Sequence, residues 1–368
     1  MTQSTSKVDL SYNPLGTKGF AFIEFADKNT DFLVKLFEGF GFEKRGQHKS
    51  KNVQLFSQGK VDLLINAEPN SYADEFQKLH GPSVPAMGWL MDNAQKAHAG
   101  ALEKGAEDAS EAARKSIDAP AIVGIGGSLI YFTDSRAWEA EFDMDPAYQN
   151  ENTAGLEFID HLTHNVRFGN MDKWYGFYHN LFNFNEIRYF DIEGEQTGLV
   201  SRAITSPCGK ITIPLNESDD AKSQINEYIE RYNGEGIQHI AFHTSDICHT
   251  IDYLSRHGQK FLGVPDTYYD MLNDRVPNYD EQLEDLRQRG ILVDGERQGK
   301  EYLLQLFTTD AIGPVFFEII SRKGHKGFGE GNFKALFEAI ERDQIKRGYL
   351  NAPEGKTKDS KNGASSTK

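Results

Sequence analysis

Three residues with metal-binding side chains lie in short apolar stretches of the kind that form buried strands. They are His161, His239 and Glu318, and they are almost evenly spaced along the chain. A carboxylate buried without a partner costs several kcal/mol, so Glu318 is expected to be paired, protonated or bound to a metal. Two histidines and one carboxylate form the facial triad of non-haem Fe(II) oxygenases, which leaves coordination positions open. The alternative is that the three are unrelated structural residues.

The alternation of side chains along a strand separates these residues from nearby histidines. Because successive side chains point to opposite faces, His164 must lie on the face opposite His161. His243 shares the face of His239 but lies four residues, roughly 13 Å, further along its strand. The alternation therefore predicts that His161 and His239 join Glu318 in a metal site, and that His164 and His243 do not.

Composition and charge restrict the class of protein. The chain has 368 residues, enough for two domains, and only two cysteines, Cys208 and Cys248, which fits a reducing compartment. A formal net charge of −15 argues against a nucleic-acid partner, which would need a basic face. No apolar run approaches the roughly 20 residues of a membrane span, and the first residues lack the apolar core of a signal peptide. We therefore expect a cytoplasmic protein that contacts neither membrane nor nucleic acid.

Strand-like stretches followed by helical patterns recur along the chain. They begin near residues 19, 85, 160 and 237, so the repeat is about 66 to 77 residues long. Such an internal repeat decides the fold class, because each unit must bury its apolar face against the next. It predicts an α+β protein of two domains, each built from two βαβββ modules whose strands wrap around a cavity.

Changes in composition suggest the domain bounds. The acidic, aperiodic residues 135–155 are interpreted as a linker, and both ends of the chain are polar and predicted to be disordered. The predicted segments are a disordered N-terminus (1–12), an N-terminal domain without metal (13–150), a C-terminal catalytic domain (151–350) and a disordered tail (351–368).

A glycine-rich loop near the C-terminus precedes a predicted amphipathic helix over 333–347. Asn332 is a plausible N-cap for this helix. Flexible glycines beside aromatic residues are what a moving lid over an apolar pocket needs, so we expect this helix to close the site.

These stretches resemble one family of enzymes along most of the chain. The motifs around the three residues, DHLTHNV, GIQHIA and FFEII, and the loop GFGEGNF are similar to those of 4-hydroxyphenylpyruvate dioxygenases, in order, over roughly residues 10 to 350. The resemblance implies the vicinal oxygen chelate fold and one Fe(II) per chain, held by His161, His239 and Glu318. It also implies that 4-hydroxyphenylpyruvate and O2 are converted to homogentisate and CO2 in tyrosine and phenylalanine catabolism, by a homo-oligomer (dimer or tetramer).

The resemblance also implies which residues contact the substrate. Those with catalytic positions in the family are Ser201, Asn216, Gln224, Gln305 and Phe333. Those expected to bind substrate are Pro214, Phe307, Phe328 and Asn332.

Two other functions fit the same residues. A hydroxymandelate synthase shares the fold, the iron and the substrate but hydroxylates the benzylic carbon. The residue at position 333 should discriminate the two, because the resemblance implies Phe in homogentisate-forming members and a smaller aliphatic residue in the others. The third hypothesis is a metal-free binding protein of the same fold, although burying Glu318 without a metal would cost free energy.

Overall fold

The computed structural model describes residues 12–193 and 198–334. The predicted disordered ends therefore lie outside the described residues, apart from Tyr12, and so does the predicted lid helix beyond Lys334. Two eight-stranded sheets form the framework, one from each half of the chain.

Over its described residues, the N-terminal half forms the first sheet and four α-helices. Its strands are β1 (Thr17–Ala26), β2 (Glu43–His48), β3 (Val53–Gln58), β4 (Val61–Asn66), β5 (Ser83–Met91), β6 (Ala121–Val123), β7 (Leu129–Asp134) and β8 (Phe142–Met144). Its helices are α1 (Thr30–Gly39), α2 (Tyr72–His80), α3 (Ala94–Glu103) and α4 (Ser110–Ala113). The first three helices each begin behind a side chain that accepts a backbone N–H, namely Asn29, Ser71 and Asn93.

The C-terminal half forms the second sheet. Its strands are β9 (Phe158–Asn165), β10 (Asn185–Glu193), β11 (Gly198–Thr205), β12 (Thr212–Glu217), β13 (Gly236–His243), β14 (Leu292–Gly295), β15 (Tyr302–Phe307) and β16 (Phe316–Lys323). Its helices are α5 (Met171–Phe182), α6 (Gln224–Tyr232), α7 (Ile247–Arg256), α8 (Asp266–Asp270), α9 (Leu272–Arg275) and α10 (Leu283–Arg289). Within the described ranges, no helix is long and apolar enough to cross a bilayer.

The two sheets share one plan. The strand order is β6-β7-β5-β1-β4-β3-β2-β8 in the first and β10-β11-β12-β9-β13-β16-β15-β14 in the second. In the first sheet, β1 and β5 pair antiparallel at the centre, β1 pairs parallel with β4, and β5 pairs parallel with β7. In the second sheet, β9 and β13 pair antiparallel at the centre, β9 pairs parallel with β12, and β13 pairs parallel with β16. This confirms the predicted α+β class. Three of the four modules have the βαβββ order, and the second departs from it.

The stretch predicted as a linker is partly built into the first sheet, so that prediction was wrong. Residues Ala137–Glu141 form a 3-10 turn, and β8 then pairs with β2 at the far edge instead of joining its own module. The Trp138 ring lies 5.0 Å from that of Phe22 and 5.8 Å from that of Phe142, and it is buried. One of the acidic residues that suggested a linker is paired, since Glu139 accepts two hydrogen bonds from Arg45.

The two halves pack through aromatic side chains on the backs of the sheets. Phe317 of β16 contacts Phe25 and Phe40 of the N-terminal half, at ring-centroid distances of 6.4 and 4.8 Å. Because side chains alternate along β16, this places the neighbouring Glu318 on the opposite face. Packing between the halves thus fixes the strand that aims Glu318 into the C-terminal sheet.

Replacing Trp138 with Ala should destabilise the N-terminal half by about 3–5 kcal/mol, because a large buried ring is removed from a packed core. The urea midpoint, followed by circular dichroism, measures this. Phe32→Ala is the matched control, since Phe32 is 42% exposed on α1 and should change the midpoint little. A wild-type midpoint for Trp138→Ala would mean that this stretch is a dispensable linker.

Candidate metal centre and adjoining cavity

A row of residues across three neighbouring strands builds the candidate metal centre. His161 of β9 lies opposite Ala241 of β13, which lies opposite Glu318 of β16. His239 precedes Ala241 by two residues and so shares its face. Strands β9 and β16 are two strand spacings apart, about 10 Å, and the long His161 and Glu318 side chains reach towards each other across the small Ala241.

The three side chains converge on one point. Glu318 Oε2 lies 3.3 Å from His161 Nε2 and 3.3 Å from His239 Nε2. One potential ligand atom from each residue lies within 4.8 Å of the others, and all three residues are buried. Glu318 Oε1 is buried without a hydrogen-bond partner. Two imidazole nitrogens and a carboxylate with a spare oxygen are a donor set that suits a divalent transition metal.

The two histidines are oriented by different partners. His161 Nδ1 lies 2.8 Å from Asp160 Oδ1, and Arg322 donates to both Asp160 oxygens at 2.7 Å. His239 Nδ1 lies 3.0 Å from the neutral Gln238 Oε1. A hydrogen bond to the outer ring nitrogen fixes the tautomer and leaves Nε2 free for a metal.

Burial and charge act in opposite directions on these groups. Burial disfavours the imidazolium form of His161, but Glu318 and Asp160 outweigh it and raise the pKa of His161 to about 9. Burial also opposes ionisation of Glu318, but His161 and His239 keep its pKa below the usual value. Burial lowers the pKa of His239, against the attraction of Glu318. Because a histidine must be neutral to bind a metal, the raised pKa of His161 means that metal binding there competes with protonation.

Two nearby histidines lie apart from this group. His164 points to the opposite face of β9, where its Nε2 lies 2.8 Å from the Tyr178 hydroxyl, and burial lowers its pKa to about 3. His243 stacks on Phe158 and its Nδ1 lies 3.1 Å from Glu157. The strand alternation predicted both positions.

Two adjoining cavities, of about 40 and 160 Å³, open beside the centre. The smaller contains the metal-binding group, and His239, Asn216, Phe307 and Phe333 line both. Each of the residues singled out from the sequence lines at least one: His161, Ser201, Pro214, Asn216, Gln224, His239, Gln305, Phe307, Glu318, Phe328, Asn332 and Phe333.

The polar lining residues come from several elements. Ser201 and Asn216 face each other across β11 and β12. Gln224 is the first residue of α6, directly after the cap Ser223. Gln305 of β15 accepts a hydrogen bond from the Asn332 amide at 3.1 Å. The two cavities are thus lined by hydroxyl and amide groups as well as by the metal-binding group.

Asn332 does not cap the final helix, so that prediction was wrong. The helix begins at Glu330, and Asn332 lies in its first turn. Its side-chain oxygen accepts a hydrogen bond from the Tyr268 hydroxyl at 2.6 Å. The turn into this helix is made by Gly329, whose φ is +79° and where a Cβ would collide with the Gln305 amide.

Aromatic rings surround the centre. Phe328 meets His161 edge to face with 5.3 Å between ring centroids, and Phe316 stacks on His239 at 4.8 Å. Phe307 approaches His239 at 6.4 Å and pairs with Glu318 across β15 and β16. These rings shield the metal-binding group from bulk water.

Several lining or supporting residues were missed from the sequence. They are Asp160, Thr163, Phe190, Leu199, Gln238, Leu292, Phe316, Arg322 and Glu330. The alternation that places Ser201 also places Leu199 on the same face, so recognition of β11 as a strand would have found it. Asp160 and Gln238 each directly precede a predicted ligand, which is a usable signal for its hydrogen-bond partner.

Comparison with known proteins gives consistent matches to both halves. Residues 11–147 match the family model described as hydroxyphenylpyruvate dioxygenase, HPPD, N-terminal. Residues 158–290 match the glyoxalase/bleomycin resistance protein/dioxygenase superfamily.

Individual relatives match over almost their full length. The chain is 52% identical over 350 residues to hemolysin VllY of Vibrio vulnificus and 49% identical over 348 residues to 4-hydroxyphenylpyruvate dioxygenase of Pseudomonas aeruginosa. Each alignment covers 92% of this chain and 98% of the relative. A solved structure of a mutant 4-hydroxymandelate synthase from Streptomyces coelicolor has the same fold, with a TM-score of 0.76 at 24% identity over 89% of this chain and 99% of that one.

A matched pair of substitutions tests the assignment of the centre. His161→Gln should lose bound divalent metal, because one of three ligands is removed. His164→Gln should keep it, because His164 lies on the other face. Metal per chain after gel filtration is measured by atomic absorption, with folding checked by circular dichroism. Metal retained by the first variant and lost from the second would reverse the assignment.

Proposed function

This chain belongs to the 4-hydroxyphenylpyruvate dioxygenase family, and on that premise we propose that it converts 4-hydroxyphenylpyruvate and O2 to homogentisate and CO2, using one Fe(II) per chain. The observation that carries the proposal is the buried His161, His239 and Glu318 group at the wall of an aromatic cavity. That product would place the chain in tyrosine and phenylalanine catabolism.

The donor set fits Fe(II). Two neutral imidazoles and one carboxylate on one side of an ion are the facial triad of non-haem iron oxygenases, and they leave positions for a chelating substrate and O2. The carboxylate of Glu318 lies against both imidazoles and its Oε1 is buried without a hydrogen-bond partner, so the group can accept a cation. When bound there, Fe(II) supplies the redox chemistry that lets O2 react with an organic molecule.

The reaction balances without a further reductant. The 2-oxo acid loses CO2 and is oxidised to a carboxylic acid, which releases two electrons. Hydroxylation of the ring, with migration of the carboxymethyl arm, releases the other two. The four electrons together reduce one O2, whose two oxygen atoms end in the new carboxyl group and the new hydroxyl group.

The side chains of the cavity have separate tasks in this proposal. Ser201, Asn216, Gln224 and Gln305 supply hydroxyl and amide groups that can hydrogen-bond the phenol and orient the ring. The aromatic residues, including Phe307, Phe328 and Phe333, pack against the ring and exclude water from the reacting centre. Pro214 and Asn332 complete the lining.

Product identification tests this function. Purified full-length protein is incubated with Fe(II), O2 and 4-hydroxyphenylpyruvate, and the products are separated by chromatography. We expect homogentisate and CO2 in equal amounts, and none from Glu318→Gln, which lacks the anionic ligand. Hydroxymandelate as the sole product would identify a hydroxymandelate synthase, and bound but unchanged substrate would identify a binding protein.

Replacing Phe333 with Ile should change the product ratio. Phe333 lines both cavities, and its ring limits how far the substrate ring can move. The benzylic carbon is one bond from the ring carbon, and a displacement of about 1 Å can change a positioned reaction roughly a hundredfold. We therefore expect less homogentisate and more hydroxymandelate, with CO2 release largely retained.

The measured quantity is each product per CO2 released. Phe316→Ile controls for the loss of an aromatic ring elsewhere in the site, because Phe316 stacks on His239 and lines only the larger cavity. Homogentisate alone, at wild-type coupling, would show that Phe333 does not control the branch.

A further inference from the structure

Arg322 contacts two different parts of the candidate site at once. On one side its Nε and Nη2 donate to the two oxygens of Asp160, both at 2.7 Å. On the other side its Nη1 donates to the carbonyl oxygens of His325 and Gly327, at 3.1 and 2.6 Å. The side chain is only 20% exposed, so these bonds are largely shielded from water.

The contacts of Arg322 close into a ring of four side chains. Asp160 holds His161 Nδ1 at 2.8 Å, and Phe328 lies against the His161 ring at 5.3 Å. The Arg322 guanidinium lies over the Phe328 ring, 5.6 Å from its centroid. Each side chain in the ring therefore touches the next, and moving one of them disturbs both of its neighbours.

We propose that Arg322 is a positioning residue that sets the orientation of the metal-binding His161 and the placement of Phe328 in the cavity wall together. The proposal rests on the function proposed above, because it takes His161 to be a metal ligand. His239 has a simpler support, since its Nδ1 partner is the neutral amide of Gln238.

The planar fork of arginine suits this position. A guanidinium can bind both oxygens of a carboxylate with one edge and still carry donors on its remaining nitrogen. A lysine ammonium keeps the charge but is a point donor, so it can serve Asp160 or the two carbonyls but not both with the same geometry. Arg322→Lys therefore separates the role of the fork from the role of the charge.

Co(II) binding tests the proposal without turnover. The probe is Co(II) added to metal-free full-length protein, with the dissociation constant from chelator competition and the visible spectrum as a report on ligand geometry. Arg322→Lys and Asp160→Asn should each weaken Co(II) binding about tenfold to a hundredfold and change the spectrum, as expected for partners of a metal-bound histidine. The double variant should be little worse than either, because both act through His161.

The N-terminal half offers a matched control. Arg45 makes the same two-bond contact with Glu139, at 2.9 and 2.8 Å, and is 21% exposed. Arg45→Lys should lose a similar amount of fold stability and leave the Co(II) dissociation constant and spectrum at wild-type values. A general loss of stability therefore cannot imitate the expected result.

Steady-state kinetics at saturating Fe(II) test the second contact. Arg322→Lys should raise KM for the 2-oxo acid, because Phe328 and the backbone at His325 and Gly327 lose their support. Asp160→Asn should raise KM less, because Arg322 keeps its bonds to the two carbonyls.

The outcomes are distinguishable. Wild-type protein that binds no Co(II) or Fe(II) overturns the proposed function and this inference with it. Tight wild-type binding with an unchanged constant and spectrum in Arg322→Lys overturns the positioning role alone. If Arg322→Lys fails to fold, Asp160→Asn decides the contact to His161, and wild-type Co(II) binding in that variant overturns the proposal.

Discussion

The C-terminal half is arranged around the burial of one carboxylate. Glu318 is 2% exposed, and removing a charge from water costs several kcal/mol unless opposite charge and hydrogen bonds replace the solvent. The protein gathers two ion pairs to do so, one between His161 and Glu318 and one between Arg322 and Asp160. Two positive and two negative groups then balance. A divalent cation bound by the three residues would add positive charge beside this balanced group.

The N-terminal sheet shows what the same plan does without a histidine beside its buried carboxylate. Glu24 of β1 is buried like Glu318, but it accepts a hydrogen bond from the Asn66 amide, and burial raises its pKa although Lys51 acts in the opposite direction. Its concave face is filled by side chains that include Phe22 and Trp138. Among the residues that the structure describes, only the C-terminal half groups three metal-binding side chains. The two halves therefore share the sheet plan and differ in the three metal-binding residues and in the cavity beside them.

Local sequence patterns predicted the faces of the three metal-binding residues and could not predict the polar lining of the cavity. The period of two placed His161, His239 and Glu318 on inward faces because that alternation depends only on neighbours in sequence. The alternation did not identify β10, which is an edge strand with Glu186, Arg188 and other polar side chains, and it did not identify β11 beside it. Ser201 of β11 and Asn216 of β12 were named from the family resemblance alone.

Local patterns also could not predict ion pairs between residues far apart in sequence, or which aromatic rings would be buried. Arg322 and Asp160 are 162 residues apart, and nothing near either predicts the partner. Residues 135–155 have the acidic composition of a linker, but Trp138 and Phe142 fix its first part to the sheet. Composition averages over such a stretch, whereas two buried rings are enough to determine its position.

The insertion between β13 and β14 supports the segment that leads into the final helix. Helices α8 and α9 interrupt the last module and bring Arg275 to the start of the final helix, where its Nη1 donates to the Gly331 carbonyl at 3.0 Å. Its Nη2 donates to the Tyr268 hydroxyl at 2.7 Å, which in turn donates to Asn332. Arg322 holds the other end of the same segment through the carbonyls of His325 and Gly327.

Both arginines bind this segment through backbone carbonyl oxygens, and the Asn332 side chain ties it to Tyr268 and Gln305 as well. Gly329 contributes in another way. Its positive φ makes the turn, and its missing Cβ leaves the space that the Gln305 amide occupies. This segment is therefore held from the sheet on one side and from the inserted helices on the other. We expect a change in either support to move Phe328 and Phe333 relative to the metal-binding group.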